Sequence, residues 1–185
     1  MMMEAVTALD ARLLDSLYAL RDPNLVQFFI WASELGRTWT VYGLGSIAVL
    51  LLLLRKHVAY AVGLGVSLAA SGFGVLLIKG LVERPRPPEE LQAYMEIWYS
   101  FPSAHATLSA ALYGFLALLA WHTVKRKSWR LLTAGFFIVL VIFVSFSRIY
   151  LGVHYPSDVL AGVLLGGVCV WLGWKYAKIA HNGRT

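Results

Sequence analysis

The stretch from His57 to Ile78 reads His-Val-Ala-Tyr-Ala-Val-Gly-Leu-Gly-Val-Ser-Leu-Ala-Ala-Ser-Gly-Phe-Gly-Val-Leu-Leu-Ile and contains no Asp, Glu, Lys or Arg. About 20 predominantly apolar residues in a helix cross the hydrocarbon core of a bilayer. A run of this length and composition therefore predicts a transmembrane helix, which places the rest of the chain in or beside a membrane.

Apolar stretches of similar length lie on both sides of this one. They are Thr38–Leu54, Ser103–Val124, Trp129–Phe146 and Pro156–Ala177. The 185-residue chain is 59% hydrophobic and 14% charged, and its mean hydropathy is +0.67. Because a soluble domain of this size needs more polar surface, we predict an all-α fold, a polytopic transmembrane helix bundle of five to six spans. Five of them lie in residues 37–185, the predicted transmembrane domain.

The N-terminal residues 1–36 have a different pattern. Ala8–Leu20 places leucines at helical spacing among charged residues, and Asn24–Gly36 is apolar but short for a span. We interpret both as amphipathic helices that lie in the membrane interface. A single sixth span through this region is the alternative. Asp22-Pro23 argues against it, because proline disrupts a helix interior.

The net charge of +6 raises the question of a nucleic-acid partner. The basic residues lie mainly between the apolar runs, where membrane proteins keep them, so we predict no such partner. The lone Cys169 offers neither a disulfide nor a cysteine-based metal site. The charge therefore informs the orientation of the chain in the membrane.

Three basic clusters fall on one side of the bundle if the spans alternate in direction. They are Arg55-Lys56, Lys125–Lys127 with Arg130, and Lys175 and Lys178 with Arg184. Basic residues accumulate in cytoplasmic loops. We therefore predict that this side, with the C-terminus, is cytoplasmic in a multi-pass protein of the plasma or inner membrane.

The opposite, non-cytoplasmic side receives three segments that are rich in catalytic residue types. They are Lys79–Pro87 after the second span, Phe101–His105 before the third, and Ser147–Asp158 between the fourth and fifth. Their basic residues run against the orientation rule, which indicates that they serve another purpose.

These segments supply what binding of a phosphoryl group requires. The cations Lys79, Arg86 and Arg148 can hold its oxygens, and arginine can do so with two parallel hydrogen bonds. Ser103 is a predicted N-cap of the following helix, whose free backbone N–H groups favour an anion. The sequence therefore predicts a phosphate site on this side.

Two histidines are candidates for a nucleophile and a leaving-group acid, namely His105 and His154. The residues alone leave open which of them attacks. Asp158 follows His154 by four positions, so it can accept the second ring N–H of that histidine. Asp158 also lies in the first turn of the last predicted span, where the helix dipole stabilises a carboxylate.

Some neighbouring residues have simpler interpretations. Glu83 and Arg84 are expected to pair with each other on the loop surface. Tyr94, Trp98 and Tyr99 are expected to pack at the interface, with an entrance to the site as the alternative. The isolated His57, His122 and His181 are interpreted as interfacial. For the three segments together, coincidence is a poor explanation.

The three segments closely resemble the type 2 phosphatidic acid phosphatase superfamily, whose pattern is K-x6-R-P, then P-S-G-H, then S-R-x5-H-x3-D. This chain has Lys79-x6-Arg86-Pro87, Pro102-Ser103-Ala104-His105 and Ser147-Arg148-x5-His154-x3-Asp158. The one departure is Ala104 in place of glycine, which we expect to affect loop geometry.

The resemblance implies a metal-independent, two-step phosphatase without a cofactor. In that mechanism His154 attacks phosphorus and becomes a phosphohistidine, Asp158 orients it, and His105 protonates the leaving oxygen and then activates water. The phosphoryl group would be held by Lys79, Arg86, Ser103 and Arg148, with the backbone amide of Ala104.

The compact layout resembles the bacterial branch that includes undecaprenyl-diphosphate phosphatases. It implies a lipid phosphate or diphosphate substrate, with undecaprenyl diphosphate as the leading expectation. Phosphatidylglycerophosphate, phosphatidic acid and the phosphate of lipid A are alternatives. A vanadate-dependent oxidase and a non-enzymatic membrane protein are more remote ones. Membrane lipids are the expected partners, and the sequence does not indicate an oligomeric state.

Overall fold

The computed structural model describes residues 2–182, with side chains from 6 to 180. This part of the chain is all-helical and contains no strand. Its elements are α1 (Met2–Ala19), α2 (Pro23–Glu34), α3 (Thr38–Leu54), α4 (Val58–Val82), a short 3-10 helix (Glu89–Leu91), α5 (Ala104–Thr123), α6 (Lys127–Tyr150) and α7 (Pro156–Asn182). The predicted helical fold is confirmed, and each of the five predicted spans corresponds to one helix from α3 to α7.

The helices α4 to α7 are each long and apolar enough to cross a membrane. By contrast, α3 has 17 residues and reaches that length only together with α2, from which it is bent by 43°. By length and composition the described part therefore has four candidate spans, or five with the bent pair.

Local capping explains where α2 and α5 begin. The Asp22 carboxylate accepts hydrogen bonds from the backbone N–H groups of Asn24 and Leu25, with Pro23 in the first helical turn. Ser103 caps α5 by accepting from the Ala106 N–H. These are the residue types that satisfy free N–H groups at helix starts.

The N-terminal helices are packed onto the bundle. Leu14 of α1 is fully buried, Asp10 is 3% exposed, and α1 contacts α7 and α6. The α2 helix lies on α6, where Phe29 contacts Tyr150 with 4.6 Å between ring centroids. The two helices therefore form part of the folded unit that surrounds the end of the bundle.

Close packing of α7 against α5 brings two of the predicted segments together. A Cβ atom on Gly162 would lie 2.7 Å from the Ser103 carbonyl oxygen, and one on Gly166 would lie 2.6 Å from that of Thr107. Small residues spaced by four allow helices to approach closely in membranes. The start of α7 is therefore held beside the start of α5.

The connectivity places the functional ends of four helices at one end of the bundle. Lys79 lies in the last turn of α4 and Arg148 in that of α6, whereas Ser103 precedes α5 and Asp158 lies in the first turn of α7. The basic links at residues 55–57 and 124–126 join the opposite helix ends. Arg184 and the side chain of His181 lie outside the described residues.

Candidate active site

The turn between α6 and α7 carries His154, which is 2% exposed. Its Nδ1 atom lies 3.5 Å from Oδ2 of Asp158, which is fully buried. Ser100 lies beside both groups, with its hydroxyl 3.5 Å from the same Nδ1 atom and donating to Asp158 Oδ2. The backbone N–H of Tyr155 donates to that oxygen as well, over 2.9 Å. The carboxylate is thus held at the Nδ1 edge of the imidazole ring.

The other ring nitrogen of His154 faces a cation. Arg86 Nη1 lies 3.3 Å from His154 Nε2 and also donates to the Val153 carbonyl over 2.7 Å. A guanidinium can only donate hydrogen bonds, so Nε2 must be the acceptor and the ring proton lies on Nδ1. This tautomer directs the lone pair of Nε2 toward Arg86, on the side of the predicted phosphate site.

The surroundings of His154 favour its neutral form. Burial lowers the pKa of His154 to about 4, and the charges of Arg148 and Arg86 act in the same direction, while the hydrogen bond with Asp158 opposes them. Because desolvation disfavours the charged imidazole, the ring is neutral at physiological pH. A neutral imidazole is the form that can attack as a nucleophile.

The remaining predicted cations lie at the same end of the bundle. Lys79 is 4% exposed and donates to the Tyr99 carbonyl. Arg148 is fully buried, and it donates to Ser33 Oγ over 2.5 Å and to the Tyr94 hydroxyl. Its Nε is a buried donor that has no hydrogen-bond partner among the described residues. Positive charge is therefore concentrated beside His154.

A carboxylate that the sequence analysis did not select lies between two of these cations. Glu96 accepts from Arg148 Nη2 over 2.6 Å and from Arg86 Nη2 over 3.4 Å. Burial alone would raise the pKa of Glu96, but Arg148 and Arg86 offset that and hold it below its ordinary value. An ionised Glu96 therefore neutralises part of the cationic site.

The start of α5 supplies the second predicted segment. Ser103 is fully buried, its N–H donates to the Asp158 carbonyl over 3.0 Å, and Ala104 is the first residue of the helix. Ala104 is not among the residues with positive φ, so this position does not need the conformational freedom of glycine.

His105 lies in the first turn of α5 and lines a cavity of about 490 Å³. Other residues around this cavity include Arg37, Trp39, Tyr94, Glu96 and Trp98. Electrostatic interactions link His105 with Arg148, His154 and Arg86. His105, the predicted leaving-group acid, thus borders this cavity. Tyr94 and Trp98 also line it, in agreement with the alternative interpretation that these aromatic residues form an entrance to the site.

The expected surface pair of Glu83 and Arg84 is wrong for Arg84. Its guanidinium instead binds Asp158 Oδ1 over 2.5 Å and Asp10 Oδ2 over 2.8 Å. The Glu83 side chain hydrogen-bonds the Tyr99 side chain. The sequence, in which Arg84 directly follows Glu83, did not indicate that Arg84 binds carboxylates on α1 and α7.

Fold and site together define a class of protein, the polytopic helical membrane proteins that carry a cluster of buried cations and a histidine at one end of the bundle. The chain belongs to the PAP2 superfamily, because the model of that family matches residues 60–181. This match covers well over half of the chain, and the resemblance inferred from the three motifs is confirmed.

Similar proteins of known family include several lipid phosphatases. The putative undecaprenyl-diphosphatase YbjG of Escherichia coli is 33% identical over 69% of this chain and 62% of its own length. The lipid A 4'-phosphatase of Bacteroides thetaiotaomicron is 42% identical over 45% of this chain and 32% of its own length. The chain thus matches less than two thirds of the length of these relatives.

Two solved structures share the fold. A transmembrane PAP2-type phosphatidylglycerolphosphate phosphatase from Bacillus subtilis superposes with a TM-score of 0.85 at 24% identity, covering 94% of this chain and 87% of that one. LpxE of Aquifex aeolicus gives a TM-score of 0.73 at 25% identity, covering 91% of this chain and 96% of that one. This chain therefore has the multi-pass helical fold of membrane PAP2 phosphatases.

Proposed function

We propose that the chain is a membrane phosphatase that hydrolyses a lipid phosphate or diphosphate through a phosphohistidine at His154. The observation that carries this proposal is the environment of the ring. His154 is buried and neutral, with Nδ1 toward Asp158 and Nε2 toward Arg86. A nucleophile needs this combination of an oriented ring and a lone pair aimed at a cationic site.

Binding begins when the phosphoryl oxygens reach Lys79, Arg86 and Arg148, with the backbone N–H groups of Ala104 and His105 at the start of α5. Arg86 and Arg148 then exchange their contacts with Glu96 for contacts with the phosphoryl group. The buried, unpartnered Nε of Arg148 provides a further donor. Charge-assisted hydrogen bonds of this kind are stronger than neutral ones.

In the first chemical step, Nε2 of His154 forms a bond to phosphorus as the bond to the leaving oxygen breaks. His105, in its protonated form, gives a proton to that oxygen and becomes neutral. Asp158 accepts the Nδ1–H of His154 and stabilises the positive charge that develops on the ring. In the second step His105 takes a proton from water, which attacks phosphorus and releases inorganic phosphate and neutral His154.

Undecaprenyl diphosphate is the leading substrate. This choice is supported by the Escherichia coli relative, named as a putative undecaprenyl-diphosphatase, which is 33% identical over 69% of this chain. The Bacteroides relative, named as a lipid A 4'-phosphatase, makes a lipid A phosphate the second candidate. Phosphatidylglycerophosphate and phosphatidic acid complete the set. We place the reaction on the non-cytoplasmic face and expect it to need no metal ion.

Phosphate release by the detergent-purified protein tests this function. The substrates are undecaprenyl diphosphate, phosphatidylglycerophosphate, phosphatidic acid and lipid A, each with EDTA present. We expect phosphate release from at least one of them. In His154→Ala the rate of release should fall about 10³-fold or more, because removal of a catalytic nucleophile has effects of at least this size.

The matched control is His122→Ala, which removes an exposed imidazole from the opposite end of α5. It should retain wild-type activity. Phosphate release that stops with EDTA and returns with a divalent ion would contradict the metal-independent mechanism. Release that survives His154→Ala would contradict the assigned nucleophile.

A further inference from the structure

Asp10 of α1 is a buried carboxylate at the active-site end, and it lies outside the three motif segments. It is 3% exposed and lies 147 residues before its partner Ser157, whose backbone N–H donates to Asp10 Oδ1 over 3.0 Å. The Ser157 hydroxyl donates to Asp10 Oδ2. Asp10 therefore binds the first turn of α7, beside Asp158.

Arg84 connects Asp10 to Asp158. Its Nη2 donates to Asp10 Oδ2 over 2.8 Å, and its Nη1 donates to Asp158 Oδ1 over 2.5 Å. The same Nη1 contacts Ser157 Oγ at 2.7 Å, and the guanidinium lies 4.3 Å from the centroid of the Tyr155 ring. One planar cation thus joins α1 to the carboxylate that faces His154.

We propose that Asp10 is a positioning residue of the active site, acting through Arg84 to hold Asp158 in the orientation that aligns His154. This inference rests on the proposed roles of His154 and Asp158. It assigns to the N-terminal helix α1 a part in the reaction in addition to packing.

The arrangement of charges explains why Asp10 is needed for this orientation. Arg84 is 19% exposed at its side chain, and the two carboxylates that it joins are 4% and 0% exposed. Without the charge of Asp10, the guanidinium is neutralised by Asp158 alone and is drawn toward it. Asp158 would then be a poorer acceptor for the Nδ1–H of His154, because Arg84 competes for the same carboxylate.

A purely structural role for Asp10 makes a different prediction. As a cap of α7, Asp10 would act through the Ser157 N–H, and an asparagine keeps an oxygen for that bond. Asp10→Asn therefore preserves the cap while it removes the charge that Arg84 binds. A structural role also gives no reason for the effect to depend on Arg84.

Steady-state kinetics of four variants test the proposal. They are Asp10→Asn, Arg84→Gln, the double variant, and Asp15→Asn as the control, which changes an exposed aspartate on the same helix. We expect kcat of Asp10→Asn to fall about tenfold, by analogy with the outer partners that orient metal-ligating side chains. KM and the inhibition constant of inorganic phosphate should not change, because Asp10 binds Arg84 and Ser157 and not the three cations proposed to hold phosphate.

The double variant shows whether Asp10 acts through Arg84. In the Arg84→Gln background, Asp10→Asn should have little further effect on kcat, since coupled residues are not additive. The proposal is overturned if Asp10→Asn keeps the kcat of the wild type, if it raises KM alone, or if its full effect repeats without Arg84.

A spectroscopic measurement separates this inference from the proposed function. If the wild type releases phosphate from no lipid, the proposed function fails, and the imidazole ¹⁵N signals of His154 decide the positioning role. Asp10→Asn should shift those signals and Asp15→Asn should not. Unchanged signals in Asp10→Asn would refute the coupling between α1 and His154.

Discussion

His154 has different partners at its two ring nitrogens, and this asymmetry determines its chemistry. Nδ1 faces Asp158 and the Ser100 hydroxyl, whereas Nε2 faces Arg86. A single ring is thus oriented by a carboxylate on one side and presented to a cationic site on the other. The direction of the ring is our reason for proposing His154, and not His105, as the nucleophile.

The ionisation of His154 can be measured directly. Burial lowers the pKa of His154 to about 4, whereas an unfolded histidine has a pKa of about 6.5. We expect its imidazole ¹⁵N signals, assigned with His154→Ala, to remain those of a neutral ring from pH 8 to about 5.5. A titration midpoint near 6.5 in the folded protein would contradict the buried, neutral nucleophile.

The same depressed pKa links protonation to stability. Between these two pKa values the unfolded chain binds the proton and the folded chain does not. The contribution of His154 to stability is therefore fully present above pH 6.5 and is lost as the pH falls toward 4.

The sequence predicted the residues that lie in ordered motifs, and it missed those that reach the site from elsewhere. His154 and Asp158 could be paired because Asp158 follows His154 by four positions, in the first turn of a helix. Ser100 and Glu96 lie in an irregular loop with no periodicity to indicate which way they face. Asp10 could not be connected with Ser157, because only the packing of α1 on α7 brings them together.

At the scale of elements, the crossing of α4 and α7 depends on two glycines. A Cβ atom on Gly173 would lie 2.2 Å from the Gly63 carbonyl oxygen, and one on Gly63 would lie 2.6 Å from that of Gly173. The helices touch through their backbones at this point. Lys79 and Asp158 belong to these two helices.

Gly173→Ala should therefore destabilise the bundle by forcing α4 and α7 apart. Overpacking costs about 1–3 kcal/mol, and in a protein of this size each kcal/mol lowers the Tm by about 2–4 °C. Gly167→Ala is the control, since a Cβ there meets nothing within 4 Å. Thermal unfolding in detergent measures both variants, and equal Tm values would refute the close crossing.

The positions of the helices along the chain could be predicted from the sequence better than their packing against one another. Long apolar runs locate α4 to α7 well, because the bilayer requires a minimum length of apolar residues. The bend of 43° between α2 and α3 follows from the interruption at residues 35–37, and composition alone does not give its angle. The position of α1 over the catalytic end likewise depends on contacts that no local pattern encodes.

At the scale of the whole molecule, the bundle separates two kinds of positive charge. One end has Lys79, Arg86 and Arg148, whose side chains donate hydrogen bonds to acceptors within the protein. The other end has exposed basic residues at Arg55, Lys56 and Lys125–Lys127. The exposed set should face the cytoplasm because basic residues are retained there, which puts the site on the other face.

Labelling with a membrane-impermeant maleimide tests this orientation in intact bacterial cells. The background is Cys169→Ala, which removes the sole cysteine, and single cysteines replace exposed Glu89 at the site end or exposed Arg126 at the other. Glu89→Cys should react in intact cells, and Arg126→Cys only after permeabilisation. The reverse result would place the active site in the cytoplasm.

The covalent intermediate gives the most direct test of the account. A lipid substrate labelled at the transferred phosphorus is mixed with excess protein and quenched within a single turnover, and the labelled peptide is mapped. We predict a phosphohistidine at His154, formed and lost as phosphate appears, and retained in His122→Ala. Label on any other side chain, or phosphate release at the wild-type rate by His154→Ala, would contradict the mechanism.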